Sequence, residues 1–213
     1  MTEARTPDPL RETGKEYGHA RRPVRADARR NEDALLEAAK HVFVTFGVDA
    51  PVREIAAQAG VGVGTLYRRF PKRSDLVAAV FRREIDACVA DVQALAAEKA
   101  PGEALASGLM RYTQFVATKR GLAAALHSGD PAFDALPIYF RARFEPALQS
   151  ILEAAAAAGV IRDDIVAYDL LRAIGNLSVA TGEDSMDHIR RMVVLLIDGL
   201  KHGAPPPAKQ SAD

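Results

Sequence analysis

Thr65, Tyr67, Arg68 and Arg69 fall within five consecutive positions and bring two hydroxyls and two guanidinium groups together. Those groups suit phosphate oxygens and base edges. An arginine can pair with guanine through two parallel hydrogen bonds, while threonine and tyrosine hydroxyls hold phosphates. Chemistry of other kinds lacks a comparable pattern. The histidines at 19, 41, 127, 188 and 202 form no i, i+4 pair and no H-E-x-x-H motif, so no metal site is expected. No G-x-S-x-G nucleophile signature occurs. Cys88 is the single cysteine, which builds neither a disulfide framework nor a cysteine metal site. It sits in an apolar-leaning stretch and reads as a buried structural thiol. Gly60-Val61-Gly62-Val63-Gly64 superficially resembles a phosphate-binding glycine loop, but that loop needs a preceding strand, and a helical pattern precedes it here. Binding, rather than catalysis or cofactor chemistry, is the expectation.

The elements that must position these groups are helices. From Asn31 to Phe46, apolar residues at Leu35, Leu36, Ala39, Val42, Phe43 and Phe46 follow the spacing of one buried helix face, and Gly47 ends it. A short helix follows Pro51, with Ile55, Ala56 and Ala59 inward and Gly60 as its stop. Val63 to Phe70 reads as another, with Leu66 and Phe70 on its apolar face. Three short helices with a glycine turn between the last two are the layout of a helix-turn-helix. Small residues at 56, 57 and 60 let the two helices cross closely. Tyr67 and Phe70 could both be core aromatics. Phe70 reads as core and Tyr67, by its neighbours, as a phosphate contact.

Further along, helical patterns cover about 73–98, 103–119, 121–127, 138–158, 164–180 and 185–202, with Pro101-Gly102 and Gly129-Asp130-Pro131 as breaks. No period-two alternation persists, so the fold class is all-α with about nine helices. The expected organisation is a flexible basic tail over 1–26, a DNA-binding domain over 27–75, a ligand-binding and dimerisation domain over 76–203, and a disordered tail over 204–213. Arg21, Arg22 and Arg25 form either a minor-groove arm or a solvated tail.

The formal net charge is zero, yet residues 1–83 hold 16 Lys+Arg against 11 Asp+Glu, leaving 12 against 17 for the remainder. A basic front on an acidic back fits a DNA-binding head on a body that avoids DNA. No apolar run reaches the roughly 20 residues of a membrane span. The opening MTEARTPDPLRETGKEYG has no apolar signal-peptide core. A cytoplasmic location is the expectation.

The run Glu37-Ala38-Ala39, Phe43, Gly47, Val52-Arg53-Glu54-Ile55-Ala56 and Ala59 through Leu76 closely resembles the DNA-binding domain of the tetracycline-repressor (TetR/AcrR) family. The resemblance implies a homodimeric regulator, most often a repressor, that binds a pseudopalindromic operator and is released by a small molecule. It implies that Thr65 and Tyr67 touch phosphates and that Arg53 meets the backbone from the front of the second helix. Arg73 would contact a phosphate from the start of the fourth, and Gly64 and Arg68 would lie nearest the base edges. Gly62, Val63, Arg69 and Lys72 complete the expected interface. Gly62 stands where serine is common and Lys72 where a small polar cap is common, so both helix starts depart from the family pattern. Alternatives are an architectural DNA binder without an effector, an activator, and a helical enzyme that reuses the fold.

Tyr112, Phe115 and the stretch Ala117 to Leu126 resemble one actinobacterial branch of the family's ligand domains. By that resemblance the effector pocket lies among the middle helices, with Met110, Phe115, Leu126, Phe133, Tyr139, Phe140, Phe144 and Asn176 as candidates. Each reads first as ordinary core and second as a ligand contact. The last two helices carry Leu170, Leu171, Ile174 and Leu177, then Ile189, Val193, Leu196, Ile197 and Leu200. By resemblance they pair with their copies as a dimer interface, although the same faces would fit an internal bundle.

Overall fold

Glycine and proline positions divide the apolar pattern, and the elements follow them. A computed structural model of the chain describes residues 21–118, 128–179 and 186–202, with side chains described at 30–117, 128–178 and 186–202. Eight α-helices occupy the described residues, and no strand occurs among them. The head consists of α1 (Arg21–Phe46), α2 (Val52–Gln58) and α3 (Val63–Arg69). The connecting helix α4 (Arg73–Glu98) leads to a body of α5 (Pro101–Thr118), α6 (Leu136–Ala157), α7 (Ala167–Val179) and α8 (Met186–His202). A single 3-10 turn lies at Pro131–Phe133. The helical pattern expected over 121–127 and the tail over 204–213 lie outside the described residues.

Between α2 and α3 the chain must turn within four residues. Gly60 takes φ +68°, a left-handed conformation that costs a glycine nothing. Its amide and that of Val61 then donate back to the carbonyls of Ala57 and Ala56, satisfying the end of α2. Gly62 caps α3 from extended backbone, and its carbonyl accepts the Thr65 amide at 2.9 Å. Lys72 caps α4 in an unexpected way. Its backbone N–H donates to Asp75 Oδ2 at 3.0 Å, so the capping carboxylate comes from the helix's third position.

Helix α4 belongs to both halves. Leu76 and Val80 pack with Leu35, Ala39, Val42, Ile55 and Leu66 in the head. Val77, Phe81, Ile85 and Val89 pack into the body. Phe43 touches both clusters, so the head rests on the body through packed side chains as well as through the chain.

Three element starts differ from the sequence expectation. Helix α1 begins at Arg21, inside the stretch expected to be a tail. Arginine and alanine favour helix without needing an apolar face, and a periodicity test detects only buried faces. Pro23 falls in the first turn, where no amide donor is needed. Helix α5 starts on Pro101, not after it. Gly102 there answers a close approach, since a Cβ would stand 2.9 Å from Val160 Cγ1. Helix α7 starts only at Ala167 because Asp164, an expected cap, is held by the Arg162 guanidinium. The Arg162 amide in turn donates to the Leu200 carbonyl at 3.1 Å, tying this loop to α8.

Leu170, Leu171 and Ile174 of α7, and Ile189, Val193, Ile197 and Leu200 of α8, are buried within the subunit itself. These seven face the subunit's own core, while Leu177 and Leu196 are half-buried. The surface apolar groups of this region are Val166, Val194 and Leu195.

Candidate nucleic-acid interface

Helix α3 is two turns long and spends little of its surface on the head. Leu66 is buried to 1% exposure among Leu35, Ile55 and Leu76, and Phe70 is buried just beyond the helix end. Those two anchors fix the rotation of the helix. Every other position from Gly62 to Arg69 is exposed, including Val63, Gly64, Thr65, Tyr67, Arg68 and Arg69. Tyr67 is 48% exposed, which separates it from the core aromatic Phe70. A Cβ built on Gly62 or Gly64 would meet nothing within 4 Å, so both leave bare backbone open at the helix start. The surface thus offers a hydroxyl, a phenol, guanidinium groups and approachable amides on one short helix.

The cations around it are not equivalent. Arg53 projects from the first turn of α2, with its Nε 3.3 Å from Glu54 Oε1. Lys72 is exposed at the entrance of α4. Arg69 pairs with Glu32 of α1. Arg73 is engaged within the head. Its guanidinium turns inward, with Nη1 donating to the Val48 carbonyl and Nη2 to the Ala50 carbonyl at 2.6 Å. The physical reason is the loop after Gly47, whose carbonyls have left α1 and have no helix to join. A following arginine within reach supplies their donors.

Beside that loop, Asp130 anchors the turn from the body. Its carboxyl is held below the usual aspartate range, first by the Ala132 amide, then by the Ser74 hydroxyl, with Lys72 adding charge attraction. Val48, Lys72, Ser74, Val77, Ser128 and Phe133 line a cleft of about 440 Å³ at this junction. Phe133 therefore belongs to the head–body seam.

The remaining described body candidates lie in several surroundings. Phe115 and Phe144 are buried in a cluster of rings, with centroids 5.4 Å apart, and Phe140 lies 4.8 Å from Phe144. Tyr112 joins the cluster 5.1 Å from Phe144 and donates its hydroxyl to the Leu171 carbonyl at 3.2 Å. Burial pushes its phenol well above the ordinary value. Met110 lines a separate open groove with Leu95, Lys99 and Arg111. Tyr139 faces α4 and donates to Asp86. Asn176 is exposed on α7, so it does not supply a polar group to an interior pocket. The buried face of that helix is formed by Leu170, Leu171 and Ile174. Leu126 lies outside the described residues.

Cys88 is fully buried, and no cluster of potential metal ligands occurs among the described residues. No described helix is long and apolar enough to cross a membrane.

Comparison with known proteins adds to this geometry. Residues 35–80 match the family of bacterial regulatory proteins, tetR family. Residues 100–202 match the C-terminal domain of SbtR-like transcriptional regulators. A crystal structure of a TetR transcriptional regulator from Streptomyces coelicolor is 36% identical, with 81% of this chain and 99% of that one covered at a TM-score of 0.66. A TetR regulatory protein from Mycobacterium vanbaalenii is 34% identical, with 84% and 100% covered at a TM-score of 0.65. An HTH-type transcriptional regulator of Staphylococcus aureus is 39% identical over 64 residues, which are 30% of this chain and 35% of that one. The chain thus matches about a third of the length of that curated relative.

Proposed function

The chain belongs to the TetR family of DNA-binding transcriptional regulators, and from that premise we propose that it is a repressor that binds a pseudopalindromic operator as a homodimer and is released by a small molecule. The observation that carries the DNA-binding part is the exposed face of α3. In this reading Thr65 and Tyr67 hold phosphates, Arg68 reads base edges, and the bare backbone at Gly64 permits close approach to the groove. Arg53 and Lys72 flank the helix as backbone contacts.

For the dimer, Leu195 at 63% exposure and Val194 at 45% leave apolar surface on the outside of α8, and Val166 at 55% is exposed just before α7. A second copy covering that surface would place two α3 helices for successive major grooves. Release follows if an effector in the body favours a head spacing that no longer fits, because α4 is shared between the two cores.

The test is fluorescence anisotropy of the purified protein on DNA from upstream of its own gene against random DNA, at two salt concentrations. Tight, salt-sensitive binding to the upstream fragment alone is expected, and that complex then serves to screen effectors. Weak and equal binding to both fragments would mean an operator elsewhere or an architectural role, and a random-sequence selection that recovers no preferred site would remove the specific-operator reading.

A further inference from the structure

Arg69 is the last residue of α3, and its Nη2 lies 2.6 Å and 2.5 Å from the two carboxylate oxygens of Glu32. The two residues are 37 positions apart in sequence, so this pair is made by the fold. The other acids on this part of α1 turn elsewhere. Asp33 lies 2.7 Å from Arg83 Nη1 and Glu37 lies 3.7 Å from its Nη2, both on α4. Glu32 is the α1 carboxylate aimed at the recognition surface. Its side chain is 30% exposed, against 66% for Asp33 and 47% for Glu37, so its field is the least screened of the three. Arg68, the neighbour of Arg69, makes no ion pair among the described residues.

We infer that Glu32 limits the sequence-independent part of DNA binding by holding Arg69 away from phosphates. The inference rests on the reading of α3 as the recognition helix. An unpaired arginine at that place would add attraction to any duplex, because a phosphate contact carries no sequence information. Paired, Arg69 contributes little to a complex held by charge alone. On the operator, Thr65, Tyr67 and Arg68 fix the register, and a freed Arg69 would add a phosphate contact there as on any duplex. Glu32 therefore lowers operator and random binding by similar factors. It is a positioning residue that acts through the Arg69 guanidinium.

Glu32→Gln keeps the shape and removes the charge. Binding is measured by anisotropy on operator and random duplexes from about 0.05 to 0.3 M salt, with the operator taken from the upstream fragment or, failing that, from a random-sequence selection. In Glu32→Gln the slope of log K against log salt should steepen by about 0.9 per subunit on random DNA and on the operator alike, with both affinities up about fivefold near 0.15 M. Glu32→Asp should restore the wild-type slope, and Glu32→Ala should behave as the glutamine variant does. Arg69→Ala combined with Glu32→Gln should abolish the gain. An unchanged slope in Glu32→Gln and Glu32→Ala overturns the inference, as does a gain that persists without Arg69. Wild-type protein that prefers no sequence would instead bring down the reading of α3 itself, so the two failures are told apart by the wild-type control.

Discussion

Tyr139 Oη donates to Asp86 Oδ2 at 2.7 Å and so fastens α6 to the helix that carries the head. The other oxygen of Asp86 accepts from Arg143 Nε, also at 2.7 Å. One carboxylate thus clamps two positions of α6. Burial, and next the bond to Asp86, raise the Tyr139 phenol above its ordinary value, which favours the neutral form in the folded protein. A group whose folded value is raised contributes its stability below the unfolded value and loses it as pH climbs through the folded one. Tyr112 has the same sign through burial. Unfolding free energy should therefore fall as pH rises beyond about 10.

Tyr139→Phe should lower stability by about 1 kcal/mol, since one hydrogen bond to a charged but partly solvated acceptor is lost. It should also flatten part of the alkaline decline. Urea melts at pH 7.5 and across pH 9.5 to 11 read both effects. A variant that matches the wild type in midpoint and alkaline slope would mean that the clamp contributes nothing.

Arg73→Ala should destabilise the protein by about 2 kcal/mol, because two loop carbonyls lose a charged donor. Binding to random DNA should keep its salt slope, since the guanidinium serves the protein and not a phosphate. Thermal melts and salt titration together decide the matter. A slope shallower by about 0.9 per subunit with stability unchanged would restore the phosphate role.

The contrast between Arg73 and Leu66 shows how far the sequence could be read. Leu35, Leu36, Ala39, Val42, Ile55 and Leu66 repeat at helical spacing, and all six are buried together in the head. That pattern is local, so the head was legible. The same holds for Gly60, whose positive φ matches the stop it marks. Arg73 and Arg69 were legible as cations but not as partners, because Val48, Ala50 and Glu32 reach them through space. The arginine-rich start of α1 carries no apolar period in the sequence to detect. In α7 and α8 the apolar period was read correctly, but a period cannot say whether a face meets its own subunit or another. Aromatic residues at helical spacing mark a core as readily as a pocket, and Phe115, Phe140 and Phe144 meet with Tyr112 in one cluster of rings.

Tyr67→Phe and Arg68→Ala separate holding from reading. Loss of the phenol should weaken operator and random DNA by similar factors, since a phosphate contact is blind to sequence. Loss of Arg68 should cost roughly 1–3 kcal/mol on the operator and relax preference at one base position per half-site, if the contact is bidentate. Competition anisotropy against a set of single-base variants shows which pattern holds. An Arg68→Ala protein with unaltered preference at every position would exclude it from base readout.

Leu195→Glu tests the dimer surface without entering the core. Leu195 is 63% exposed, so a carboxylate there stays solvated in a lone subunit, and thermal stability of the fold should barely move. In a dimer two such charges would be buried near the symmetry axis, which is strongly unfavourable. Analytical ultracentrifugation at micromolar concentration should show a monomer in place of a dimer. Affinity for a full palindrome should fall by about 100-fold or more, because the second head no longer binds at high local concentration. Binding to a half-site should persist, since α3 is untouched. Val193 supplies the opposite control. It is fully buried inside the subunit, so Val193→Ala should lower stability and leave the oligomeric state as it was. A Leu195→Glu protein that remains dimeric would show that α8 meets its copy through another face, or that the copy is held elsewhere.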